Sequence, residues 1–486
     1  MLNGEEYLFI IHQFVAALLC LFFLYYAWKD QVAKTFNPVR KISKGVIFSL
    51  LTGIFLGLFF LFLHEWGSGL IVLSLTYALF ISLLLFDPKF AVAFFIFLLI
   101  SRPWEFFHNE VMNSMLRDVF IIVVASFLVH KVIRKQFFFS WNFANTMLFF
   151  FTCWTFFSIL PSGNSARGLE EFGEIFIKNI VIYYLIVNVV DKKEFIFPIQ
   201  AALVLGITEK AFVSFYRSMV LGDLAEGARL KSFGILENSN DIAAIMILSI
   251  PFALVFLNVI KNKFLKYSLS LLIVVFYSYL IWLSKSRGAI LGMGALIAAF
   301  FWLKASNKKI ASVVLVVSLF LSMGVMSLIK RDEADISGST NNRKIYWEAG
   351  IRMGIKNPIF GIGYGSYNNK LLEYTDGFVG SEGANKTAHS AWILALAETG
   401  IMGFIFYMAV WVYAFRSAWR MRFVHPEYIL AMIAYGTTIS FLSHTYILYP
   451  YILLGIVVAS GQLYRKDHVK VTSYGLMGAL HKRGLI

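Results

Sequence analysis

Long apolar runs separated by short polar segments dominate this chain. A helix crosses the hydrocarbon core of a bilayer in about 20 apolar residues. Candidate stretches lie at 7–28, 46–63, 69–86, 89–101, 118–132, 144–160, 179–190, 195–217, 242–260, 267–283, 288–303, 310–328, 391–414, 428–444 and 446–464. Those at 89–101 and 179–190 are short for a span. The pattern predicts an all-α polytopic membrane protein with roughly 12–15 transmembrane helices and one long loop. The first stretch, Tyr7 to Trp28, follows Glu5 and Glu6 rather than a basic segment, and no small-residue cleavage pattern comes after it. It reads as a retained span.

The runs divide the chain into five parts. Residues 1–217 are N-terminal transmembrane helices, and 218–328 are transmembrane helices with arginine-bearing outer loops. Residues 329–388 form a loop subdomain, 389–464 the C-terminal helices, and 465–486 a basic cytoplasmic tail. Threaded alternately with the N-terminus outside, the inner loops hold 25 Lys and Arg against 6 Asp and Glu. The outer segments hold 17 and 21. Short basic loops face the cytoplasm, so this threading is the favoured one. Within the long outer loop, the spacing of Ile345, Trp347, Ile351 and Ile355 predicts a helix lying on the membrane that stops at Asn357-Pro358. A glycine-rich turn, Gly361-Ile-Gly363-Tyr-Gly365, follows.

Composition narrows the class further. Hydrophobic residues make up 59% of the 486 and charged residues 15%, against about 45–50% and about 25% in soluble domains. A soluble enzyme, a disordered chain and a secreted disulfide scaffold are excluded. Cys20 and Cys153 both lie in apolar runs, which leaves no disulfide framework and no cysteine-based zinc site. The net charge of +15 reflects topology-setting loops and implies no nucleic-acid partner.

Charged residues where spans meet the outer face are the candidates for chemistry, because burying them is costly without partners. Ser284-Lys-Ser286-Arg287-Gly288 is wedged between two spans. The planar Arg287 guanidinium there suits a phosphate, and it equally suits snorkelling to the interface. Arg343 opens the loop helix, with Arg352 nine residues on and expected on about the same face; a solvated basic face explains both as well as a ligand does. His389-Ser390 enters the span that carries Glu398 and Gly400. A histidine there titrates near neutral pH and can take a proton from a hydroxyl, or can simply begin a helix. Arg229 precedes Asn238-Ser-Asn240-Asp241, where Asn240 or Asp241 is expected to cap the next helix. Arg229 itself can face an anionic ligand.

Other chemistries lack their signatures. Gly292 and Gly294 lie within a span without the Lys-Ser/Thr of a P-loop. No HExxH or Asp-x-Asp pair is present, so neither a metal site nor a cofactor is indicated. No internal repeat marks an inverted-repeat transporter.

The motifs in order are Arg229…Gly234…Asn240-Asp241, Ser286-Arg287-Gly288-Ala289, Asn342-Arg343…Trp347…Gly350…Pro358…Gly361-Ile-Gly363-Tyr-Gly365, and His389-Ser390…Leu396…Glu398-Thr-Gly400…Gly403. Across about 225–415 the chain resembles the O-antigen ligase family, whose superfamily includes O-antigen polymerases and bacterial O-linking oligosaccharyltransferases. The resemblance implies a GT-C-like helical enzyme of the bacterial inner membrane, with loop 329–388 and the active site on the periplasmic side. It implies metal-independent, inverting transfer of a glycan from undecaprenyl pyrophosphate to an acceptor hydroxyl, lipid A–core for a ligase. By the same resemblance Arg287 and Arg343 hold the pyrophosphate and His389 stands at the reacting hydroxyl, with Arg229 as a fourth member on the pyrophosphate. A polymerase, a protein O-oligosaccharyltransferase and a transporter of polyprenyl-linked glycan are the alternatives.

Overall fold

A computed structural model describes residues 88–102, 110–133, most of 139–307, 333–375 and 386–482, with isolated residues before and between them. Every regular element among the described residues is a helix. In chain order these are α1 (Pro88–Ser101), α2 (Glu110–Ile133), α3 (Phe143–Ser158), α4 (Ser165–Val189), α5 (Lys193–Val220), α6 (Ser239–Phe256), α7 (Lys263–Leu283), α8 (Arg287–Lys304), α9 (Glu333–Lys356), α10 (Tyr367–Tyr374), α11 (Ala391–Arg420), α12 (Pro426–Ile439) and α13 (Leu448–Lys482). Helices α4, α5, α7, α8 and α11 are each long and apolar enough to cross a bilayer. The protein is an all-α polytopic membrane protein, as the hydropathy pattern predicts. The predicted spans at 7–28, 46–63, 69–86 and 310–328 lie, but for isolated residues, outside those described.

Three predicted boundaries differ. Helix α9 begins at Glu333, so Arg343 lies within the helix and does not open it. The short run 179–190 is the end of α4, which begins at Ser165. Its first turns hide from an apolar count because they carry paired charge, including Arg167 Nε to Glu171 Oε1 at 2.8 Å. The run 428–444 is not all helix either. Helix α12 ends at Ile439, and residues 440–447 form an irregular connection to α13.

The chain forms two compact units. The first comprises Met1–Phe139, Lys192–Ala225 and Leu230–Glu237. Here α1 packs on α5, and every side chain from Phe90 to Phe97 is at most 2% exposed. A helix apolar on all sides must be enclosed on all sides. A Cβ on Gly206 of α5 would lie 2.9 Å from Ile100, so the glycine permits close helix approach. After α5, Asp223 bonds to Arg217 at 2.9 Å and to Lys231 at 2.6 Å.

The second unit comprises Ser140–Asp191, Glu226–Arg229 and Asn238–Ile486. Helices α3 and α9 pack on α11, α6 and α8 on α12, and α4 on α13. Helix α11 is broken at Gly400 (φ 68°, ψ −172°). A break at membrane depth leaves backbone groups that only protein can satisfy. The glycine-rich turn does so: Ile362 N–H donates to Ala397 O at 2.9 Å, Gly363 N–H to Glu398 O at 3.2 Å, and Ile401 N–H to Pro358 O at 2.8 Å. The Trp154 indole N–H closes the junction onto Ile359 O and Thr399 O, at 3.0 and 3.1 Å.

Candidate functional site

The four residues singled out by the sequence all fall in the second unit. The segment that relates them, Ser440 to Tyr446, was not among them. Ser440 Oγ accepts from the Trp392 indole at 2.8 Å. The Phe441 ring meets Trp347 at 5.8 Å between centroids. A Cβ on Gly288 would lie 3.1 Å from Phe441 Cβ, so the glycine of Ser-Arg-Gly is there to let α8 touch this ring. Ser443 Oγ accepts the His389 backbone N–H at 3.0 Å and donates to Thr387 Oγ1 at 2.7 Å. Thr445 donates to Ala391 O at 2.7 Å. The loop therefore touches α8 beside Arg287, α9 at Trp347, one turn from Arg343, and the chain entering α11 at His389.

His444 is the largest omission of the sequence reading. Its ring is buried, with Nε2 2.9 Å from Asp241 Oδ1 and Nδ1 2.9 Å from the Tyr435 hydroxyl. A proton on Nε2, facing the carboxylate, lets Nδ1 accept from Tyr435 and satisfies all three groups. Asp241 is thus committed to a histidine. The cap of α6 is Asn238, whose side chain accepts from Asn240 N–H at 2.9 Å, and this corrects the expectation for Asn240 or Asp241. A lone histidine in an apolar run gives no spacing signal, so only its proximity to Asp241 exposes it.

Arg229 braces the turn before α8. Its Nε donates to Ser284 O at 2.9 Å and its Nη2 to Asn240 Oδ1 at 3.0 Å, while Lys285 Nζ donates to Gly227 O at 2.7 Å. Ser286 then caps α8 by accepting from Ala289 N–H at 3.4 Å. Arg287 follows as the first residue of the helix, half-buried. A cation at a helix N-terminus makes a place for an anion. Ala228 (φ 50°), Lys285 (φ 51°) and His389 (φ 46°) all lie in the left-handed region. Such conformations cost about 1 kcal/mol or more for non-glycine residues and tend to gather at functional sites.

On α9, Arg343 is half-buried, one turn from Tyr346 and Trp347. The Tyr346 ring lies 6.2 Å from that of His389. Two buried donors flank Arg343, Asn342 Nδ2 and Trp347 Nε1, and neither has a hydrogen-bond acceptor among the described residues. Buried donors rarely stay unsatisfied, so both can take an acceptor from beyond the described residues. Arg352 does not share this face and is exposed. Nine helical steps of 100° make two and a half turns, which places it on the opposite side.

Much of the glycine-rich motif serves the fold. Buried Glu398 accepts the Tyr367 N–H at 3.2 Å, anchoring the turn to the break in α11. Burial holds the Tyr364 and Tyr367 hydroxyls well above the ordinary phenol value, so they act as neutral hydrogen-bonding groups.

Residues 269–408 match the family model described as O-antigen ligase. This segment is similar to the O-antigen ligase family. No curated protein matches the chain. The matched segment runs from α7 into α11 and includes Arg287, Arg343 and His389, while Arg229, Asp241 and the 440–446 loop lie outside it.

Proposed function

We propose that this protein is an O-antigen ligase that transfers a glycan from undecaprenyl pyrophosphate to a hydroxyl of lipid A–core. The observation that carries the reading is the 440–446 loop, which touches Gly288 beside Arg287, Trp347 one turn from Arg343, and the backbone of His389. In this reading the inner membrane holds the enzyme, and the reaction takes place at its periplasmic face.

The acceptor oxygen attacks the anomeric carbon from the face opposite the pyrophosphate. Its proton passes to neutral His389, the bond from carbon to phosphate oxygen breaks, and undecaprenyl pyrophosphate leaves with the electron pair. The anomeric configuration inverts. Negative charge grows on the leaving oxygen, so the fixed guanidinium groups of Arg287 and Arg343 stabilise the transition state more than the ground state. Arg229 works through Ser284, holding the turn that aims Arg287. Asn342 and Trp347 supply neutral donors to the pyrophosphate or the glycan beside it.

Purified protein in nanodiscs, with chelator and an undecaprenyl-pyrophosphate glycan, tests this by mass spectrometry of the products. Product only when lipid A–core is added supports the ligase. Elongated glycan from donor alone makes the protein a polymerase. Glycan on added protein acceptor makes it an oligosaccharyltransferase. Movement of intact donor across the bilayer with no new glycosidic bond makes it a transporter.

A further inference from the structure

The last turns of α11, Arg416 to Arg420, lie beyond the break at Gly400 from His389. At that far end a cleft of about 580 Å³ opens beside α11, lined along one side by Phe404, Met408 and Val412 and at its rim by Arg416, Arg420 and Arg465. A second hollow of about 410 Å³ adjoins it and shares Ser417, Arg420 and Arg465. Residues of both α11 and α13 line each hollow. A Cβ on Gly461 would lie 2.9 Å from Ser417 Cβ, so these small residues bring the helices together and leave arginines on both sides of the crossing.

The charges are arranged against their own interest. Arg416 and Arg420 are four residues apart on one helix, where like charges repel, and Arg465 joins them from α13. Neither Arg416 nor Arg420 has a hydrogen bond or ion pair among the described residues. Arg465 is steered over the cleft by a bond from Nη2 to the Tyr413 hydroxyl at 3.4 Å. The nearby acid Glu427 is buried and bonded to His425 at 3.0 Å, which leaves it turned to another partner.

An apolar wall that ends in three arginines matches an acyl chain that ends in a phosphodiester. Basic pockets between membrane helices recognise anionic lipid headgroups in this way. We propose that this cleft binds one anionic glycerophospholipid, with its phosphodiester between Arg416, Arg420 and Arg465 and an acyl chain along Phe404, Met408 and Val412. The site stands apart from the transfer chemistry and does not depend on that assignment.

Native mass spectrometry of the full-length protein in detergent tests it, with dioleoyl phosphatidylglycerol and dioleoyl phosphatidylcholine as paired probes. Their acyl chains are identical, so the apolar wall treats them alike. The expected result is one phosphatidylglycerol adduct at least tenfold more populated than the phosphatidylcholine adduct. The triple variant Arg416→Gln, Arg420→Gln, Arg465→Gln should bring it down to the phosphatidylcholine level, and excess inorganic phosphate should leave it in place. Equal binding of the two lipids, an adduct unchanged by the triple variant, or displacement by phosphate would each overturn the proposal. Should the variant not fold, wild-type protein with phosphatidylglycerol bearing a photoactivatable acyl chain decides. Label on peptides spanning 404–412 supports the site, and label confined elsewhere refutes it.

Discussion

His444 and Asp241 stand 203 residues apart in sequence, with Nε2 2.9 Å from Oδ1. The pair pins the 440–446 loop to the start of α6, next to the Asn240 that holds Arg229. The chain of contacts Arg229–Asn240, Asp241–His444 and Ser443–His389 thus joins the brace of the α8 turn to the histidine entering α11.

If that chain positions His389, Asp241→Asn and His444→Gln will lower kcat by roughly tenfold or more while KM changes little. A change in KM alone would assign the pair to substrate binding instead. Replacing this bond to a charged carboxylate by a weaker one also costs on the order of 1 kcal/mol, visible as a lower Tm in both variants.

His389→Gly separates the ring from the backbone. At φ 46° glycine adopts the conformation without strain, so thermal stability should hold or rise. Transfer should fall by about 10²–10⁴, the usual worth of a general base. Undiminished transfer would remove His389 from the reaction.

Trp347→Phe keeps the contact with Phe441 but deletes the buried indole donor, and Asn342→Ala deletes the other. Each should weaken donor binding about tenfold, read as a raised KM for the lipid-linked glycan, with Tm held in Trp347→Phe. Unchanged KM in both would mean that the two donors meet no part of the substrate.

Gly400→Ala should be among the most destabilising single changes. Its Cβ would fall 2.5 Å from Ile359 O at a left-handed φ, and the glycine-rich turn has no room to yield. Gly436→Ala is the control: nothing lies within 4 Å of that Cβ, and alanine in a helix adds about 0.5–1 kcal/mol. Thermal unfolding in detergent should move the two in opposite directions.

Asp223 gives a pH test away from the membrane spans. The hydrogen bond from Lys231 holds its carboxyl below the usual value of 3.8. A lowered folded pKa means that the stabilisation is present at neutral pH and is lost as pH falls below about 4. The hydrogen-exchange protection factor of 217–231, taken against the intrinsic rate at each pH, should therefore fall at low pH in the wild type, and Asp223→Asn should remove that dependence. The effect will be under about 1 kcal/mol, because the carboxylate is partly exposed.

Hydropathy alone determined the class of this protein, since a bilayer demands long apolar helices whatever their arrangement. The spans in 242–303 and the start of α11 were legible for that reason, as was the stop of α9 at Asn357-Pro358. Motif order pointed to the family and to Arg287, Arg343 and His389, because local caps and turns recur with fixed residue types. The 440–446 loop was hidden inside an apolar run, since an apolar count carries no record of where a backbone leaves the helix. Asp241 read as a cap and Glu398-Thr-Gly400 as part of a functional motif. Only tertiary structure showed the first bonded to His444 and the second holding a broken helix to a glycine-rich turn. Hydrogen bonds between residues hundreds of positions apart leave no periodicity to read, so the site's connections belong to the fold while its charged members belong to the sequence.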